Sequence, residues 1–120
     1  MNKTILTGNL TRDPEGGTTA SGVAWCRFSL AVNRQYKGQN GQQLTDFFTV
    51  VAWRGLSNTC LQYLAKGRKC GVIGHLENRS WDGNDGTKHY ATEVIADEVE
   101  FLTPKGNASQ QAYQDDESDY

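Results

Sequence analysis

Read as a strand, the run Asp46-Phe47-Phe48-Thr49-Val50-Val51-Ala52-Trp53-Arg54 sends Phe48, Val50 and Ala52 to one face and Phe47, Thr49, Val51 and Trp53 to the other. The first set is small and aliphatic enough to be core. The second carries two large aromatics about six residues apart, roughly 20 Å along a strand, with Arg54 beside the second. Two flat rings on one sheet face with a cation nearby form a surface on which unpaired bases stack. The same pattern also serves as half of a β-sandwich core. Burying both faces, however, would need a layer on each side, which a chain of 120 residues can hardly build.

That length means one domain with at most a short appendage. Apolar residues make up 37% and charged residues 22%, a globular balance. No apolar run approaches the roughly 18 residues of a membrane span, so no membrane partner is expected. The start, Met1-Asn2-Lys3-Thr4-Ile5-Leu6, lacks the apolar centre of a secretory signal and reads as a strand, which points to the cytoplasm. Cys26, Cys60 and Cys70 are an odd set without a CxxC, as expected of reduced thiols, and His75 and His89 stand far from metal-ligand spacing. Neither a metal nor a cofactor is expected.

The net charge of −2 hides a division. Residues 1–105 hold all 12 Lys and Arg and 10 of the 14 acids, giving +2, whereas residues 106–120 hold no base and Asp115, Asp116, Glu117 and Asp119, giving −4. A mildly basic globular part therefore precedes a strongly acidic tail.

Lys3 to Leu10 reads as the first strand and stops at Arg12-Asp13-Pro14-Glu15-Gly16-Gly17, a cluster of turn formers. After a flexible Thr18 to Gly22, Val23 to Val32 places Ala24, Cys26, Phe28, Leu30 and Val32 on a core face. Trp25, Arg27, Ser29 and Ala31 lie opposite. Trp25 beside Arg27 reads as a stacking ring, a subunit contact or a ring folded over the sheet edge. Tyr36 stands between Arg34 and Lys37 before the polar hairpin tip Gly38 to Gln43. That mixture suits base stacking with phosphate neutralisation, and equally a solvated hairpin with an incidental Tyr.

From Gly55 to Lys66 the period becomes helical, with Leu56, Cys60, Tyr63 and Leu64 on one side, Ser57 or Asn58 as the expected cap, and Gly67 as the helix-ending residue. Lys66, Arg68 and Lys69 cluster where the helix hands the chain on, a place the helix dipole also favours for cations. Cys70 to Trp81 is the next strand, with Gly71 and Gly74 as expected bulge or bend points. Asp82 to Gly86 makes a hairpin turn and Lys88 to Leu102 returns, leaving Trp81 near the tip with Arg79 and Lys88 beside it. Residues 1–104 form the expected domain, and 105–120, rich in Gly, Asn, Gln, Ser and acid, are expected to be disordered. Five strands with one helix between the third and fourth is the order of the OB-fold, an all-β Greek-key barrel.

Several blocks, in order, carry a resemblance: Asn2 to Leu10 followed by Asp13-Pro14-Glu15, then Phe28 to Arg34, Asp46 to Trp53, Tyr63 to Gly67, and Tyr90 to Val94. Together they make residues 1–104 resemble the bacterial single-stranded-DNA-binding proteins, most closely those of Gram-positive bacteria. The resemblance implies an OB-fold homotetramer on the nucleoid. It would bind and protect unpaired DNA with little sequence preference during replication, recombination, repair or DNA uptake. The family's stacking aromatics fall on Tyr36, Phe47, Trp53 and Trp81, and Lys3, Arg34, Arg54, Lys66 and Arg79 are the expected phosphate contacts. Trp25 has no counterpart there. Family members usually end in a long Gly- and Pro-rich linker and an acidic tip closed by Pro-Phe, which docks replication and repair partners. Here the linker is short and the end is Asp115-Asp116-Glu117-Ser118-Asp119-Tyr120, with the acid kept and one Tyr in place of the apolar pair.

An RNA-binding OB module is the rival within the binding class. An enzyme finds little support, since there is no P-loop, GxSxG, HExxH or Cys/His pairing at catalytic spacing.

Overall fold

A computed structural model describes residues 1–103. The expected acidic tip, Asp115, Asp116, Glu117, Asp119 and Tyr120, lies outside the described residues.

Six strands and one helix follow in the order β1 (Thr4–Leu10), β2 (Glu15–Thr18), β3 (Ala24–Lys37), β4 (Gln43–Trp53), α1 (Arg54–Tyr63), β5 (Lys69–Asp82) and β6 (Lys88–Phe101). The sheet runs β1-β5-β6-β4-β3-β2, and an additional β1–β3 pairing closes five of the strands into a barrel. β4 and β6 pair in parallel at Val50–Val94 and Val51–Ile95, while the other ladders are antiparallel. With α1 between the third and fourth barrel strands, the architecture is the OB-fold.

The barrel closes because alternate residues of each strand are apolar. In β3, Cys26, Phe28 and Leu30 are buried, and in β5, Cys70 and Val72 are buried. They meet Val50 and Ala52 of β4, Val94 and Ala96 of β6, Leu10 of β1, and Cys60 of α1 with Leu64 just after it, in one core. The three cysteines are free and buried. Burial pushes the Cys26 thiol up to about 11 and those of Cys60 and Cys70 up to about 12. At these positions they act as small hydrophobes, not nucleophiles. Among the described residues, no helix is long and apolar enough to cross a membrane.

Three local expectations are corrected. Glu15-Gly16-Gly17-Thr18, read as turn and flexible segment, is β2, paired with Ala24 to Arg27 along the β3 edge. The helix begins at Arg54 and neither Ser57 nor Asn58 caps it. Arg54 takes φ 60, a left-handed conformation that turns the chain out of β4, and the Ser57 hydroxyl donates back to the Arg54 carbonyl at 2.6 Å. Tyr63, expected on the core side, is half-exposed and tilts against Phe101 with ring centroids 5.5 Å apart. The helix itself ends at Tyr63, where Arg68 donates to the Tyr63 carbonyl at 2.8 Å, and Gly67 takes φ 86 in the connection beyond it.

The two glycines of β5 also separate. The β5–β6 register shifts between Ile73 and Gly74, so Gly74 is a bulge point as expected. Gly71 stays in regular register between Thr7 and Glu100, with ordinary room above its Cα.

Candidate nucleic-acid interface

Paired residues of neighbouring strands point to the same side of a sheet. Opposite Phe47, Thr49, Val51 and Trp53 on β4 stand Ala31, Ser29, Arg27 and Trp25 on β3. Ala31 and Ser29 are too small to cover Phe47, which is 66% exposed, and Trp53, opposite Trp25 at the end of the strand, is 41% exposed. Val51, between them, is buried, with Arg27 beside it on β3 and Ile95 on β6. Phe48, Val50 and Ala52 face the core as the alternation requires.

The other two candidate rings stand on the hairpins. Tyr36, 62% exposed, lies on the β3 arm. Arg34 holds it from beside: its Nη1 donates to the Tyr36 hydroxyl at 3.0 Å, while Nε and Nη2 donate to the two Asp46 carboxylate oxygens at 2.8 and 2.9 Å. This two-pronged bond keeps the Asp46 carboxyl below the usual carboxylate range and raises the Arg34 pKa further. A guanidinium has five N–H donors, so two remain for a phosphate. Trp81, 40% exposed, sits at the end of β5 with the Arg79 guanidinium 4.5 Å from its ring centroid. His89, its cross-strand partner, stacks on it at 5.5 Å.

Of the remaining candidate cations, Arg54 is exposed at the start of α1 and Lys66 on the α1–β5 connection, where the Lys66 backbone N–H donates to Asp13 at 2.8 Å. Lys3 leads into β1, next to Asn2, which exchanges two hydrogen bonds with the Leu76 backbone. Among the described residues these three cations carry no ion pair, whereas Arg34 and Arg79 do.

One carboxylate joins the middle of the face. Glu93 on β6 is only 7% exposed, and its Oε2 lies 3.3 Å from Arg79 Nε and 3.9 Å from Arg27 Nε. Arg27 also reaches Glu15 of β2 at 3.6 Å, and its guanidinium lies 5.4 Å from the Trp25 ring centroid. Next to it, Arg12, Asp13, Glu15, Arg27, Ser29 and Thr49 line a hollow of about 220 Å³.

On β5, His75 sits between two acids, with Nε2 at 2.7 Å from Glu77 and Nδ1 at 3.3 Å from Asp97. These two bonds, Glu77's first, raise its pKa above the usual histidine value. A histidine whose folded pKa is raised contributes stability that is complete below its unfolded pKa, about 6.5, and fades as pH rises through the folded value. His75→Gln is therefore expected to lower the thermal midpoint at about pH 6 and to cost much less at about pH 9. Melts of both proteins across that range check it; a gap independent of pH would exclude the charged pairing.

Residues 1–102 match the model of the single-strand binding protein family. The chain belongs to that family. A single-stranded DNA-binding protein of Caldanaerobacter subterraneus subsp. tengcongensis is 47% identical over 105 residues, covering 88% of this chain and 70% of that protein. One from Halalkalibacterium halodurans is 44% identical over 110 residues, covering 92% of this chain and 66% of that protein. The matched segment thus spans about two thirds of the length of these relatives. A solved structure described as a Plasmodium falciparum SSB complex with ssDNA superposes with a TM-score of 0.75 at 28% identity, covering 85% of this chain and 95% of that one.

In this member of the single-strand binding protein family, sequence reasoning left out Arg12, Arg27 and Glu93 as parts of the face. The strand alternation already put Arg27 beside Trp25 and Glu93 in line with Ile95. That the three strands bring Arg27 and Arg79 to one carboxylate needs the closed barrel.

Proposed function

We propose that the chain binds and protects single-stranded DNA with little sequence preference, as a binding protein and not an enzyme. The observation that carries this reading is the exposure of Phe47, Trp53, Tyr36 and Trp81 on one sheet face and its two hairpins, outside a core that is complete without them. Bases stack on the rings, at about 1–3 kcal/mol each. Phosphates meet Lys3, Arg34, Arg54, Lys66 and Arg79. The function serves replication, recombination, repair or DNA uptake on the cytoplasmic nucleoid. The DNA-binding domain is residues 1–104, and the acidic residues of 105–120 dock replication or repair proteins.

The same proposal includes a homotetramer. Among the described residues the β1 edge from Thr4 to Gly8 is unpaired on the side away from β5, Ile5 on it is exposed, and Ile5, Leu6, Val72, Ile73, Val99 and Leu102 line a hollow beside it that Glu98 and Glu100 also border. An open edge next to apolar surface favours pairing with a second copy. Four subunits on one strand raise affinity through effective concentration.

The test is tryptophan emission during titration with oligo-dT. Quenching that saturates is expected, with log affinity falling linearly in log salt at a slope of about −0.7 per phosphate neutralised. Light scattering should give four times the chain mass. Absence of quenching and binding would exclude the reading. Stronger competition by matching RNA than by poly-dT would favour an RNA-binding OB module.

A further inference from the structure

We infer that Trp25 is a fifth base-stacking ring, which takes one further unpaired base beside the base on Trp53. The inference rests on the single-stranded-DNA reading and extends its site to a residue outside the four rings assigned above.

Three observations converge on it. Trp25 is the cross-strand partner of Trp53, so two indoles stand side by side on the face opposite the core. On the other side of Trp25, β2 places Gly17 in register. A Cβ at Gly17 would come within 3.1–3.3 Å of the Trp25 indole atoms, so the ring lies against bare backbone at that point. Trp25 is partly buried where Trp81 is exposed, yet the two share one feature: each ring has a guanidinium beside it, Arg27 at 5.4 Å and Arg79 at 4.5 Å, and both guanidiniums face the same Glu93 oxygen. A ring with a neighbouring cation is the unit that binds a nucleotide by stacking plus phosphate contact. The interface carries that unit at Trp25, at Trp81 and at Tyr36, where Arg34 lies 5.9 Å from the ring centroid, and the first two are joined through one carboxylate. Among the described residues the partly exposed Arg27 side chain has only the long ionic contacts to Glu15 and Glu93, and its buried Nε has no hydrogen-bond partner, so a phosphate would meet a guanidinium that is not already committed.

The chain has 3 tryptophans, so Trp53→Phe/Trp81→Phe keeps flat rings at both positions and leaves Trp25 as the sole indole. Labelled oligo-dT reports binding by anisotropy while Trp25 emission is followed. The expected result is quenching of Trp25 in proportion to DNA bound. In addition, Trp25→Val should weaken oligo-dT binding about five- to tenfold, with Trp25→Phe close to the parent. DNA bound at full anisotropy with Trp25 emission unchanged would overturn the inference while leaving the DNA-binding reading intact. No binding by the parent protein would overturn both. If the double variant loses affinity, the quench amplitude of the parent minus that of Trp25→Phe gives the same answer.

Discussion

Trp53→Ala is expected to weaken binding of oligo-dT about five- to 150-fold, the range that follows from losing one stacked base at about 1–3 kcal/mol. Oligo-dC and oligo-dA should suffer alike, because every base offers a flat face to a ring and none of the contacts described reads a base edge. Phe47→Ala is expected to act in the same direction. The two rings are about six residues apart on one strand, roughly 20 Å, far enough for their effects to add. The double variant should therefore lose close to the product of the two factors. Neither ring belongs to the core cluster, so the circular dichroism spectrum should not change. Trp53→Phe, which keeps a flat ring, should stay near the parent. Anisotropy titrations at one fixed salt concentration decide it: equal affinities for Trp53→Ala and the parent would remove Trp53 from the track.

Much of this face was legible because strand alternation is a two-valued rule. Once Phe48, Val50 and Ala52 are taken as core, Phe47 and Trp53 have nowhere to go but out, and the small Ser29 and Ala31 of the neighbouring strand leave Phe47 uncovered. Less was legible where contact instead of pattern makes the structure. β2 has no apolar alternation and reads as a turn; it is a strand because β3 offers it a free edge. Its two glycines admit side chains of other elements, Leu61 of α1 over Gly16 and Trp25 over Gly17. The helix start was misplaced for a related reason. A capping Ser is a sequence signal, whereas the left-handed turn at Arg54 is imposed by where β4 must end. Glu93 shows the limit most clearly. Its alternation marks it as outward-facing, yet it is nearly buried, because two arginines from other strands close over it.

Gly8→Ala is expected to destabilise the fold by about 3 kcal/mol or more, one of the larger single-residue effects available to it. Gly8 lies where β1 passes from pairing with β5 to pairing with β3: Gly8 faces Cys70, and Asn9 faces both Lys69 and Ala31. A Cβ at Gly8 would overlap the Ala31 carbonyl oxygen and come within 3.0 Å of Val32 Cγ2. The obstacle is backbone, which no side-chain rotation relieves, so β1 or β3 has to move and the barrel seam opens. Gly74 meets the Ile95 carbonyl oxygen in the same way at the β5 bulge, and Gly74→Ala should behave alike. For a domain of this size 3 kcal/mol is about 12 °C or more in thermal midpoint. Gly71→Ala is the control, since its new methyl would first meet Thr7 Oγ1 at 3.8 Å, an ordinary contact, and its midpoint should stay within a few degrees of the parent. Because Ala31 is also the cross-strand partner of Phe47, Gly8→Ala should disturb oligo-dT binding as well, through a backbone shift beneath that ring. Equal midpoints for Gly8→Ala and Gly71→Ala would mean that the seam is not where β1 and β3 press together.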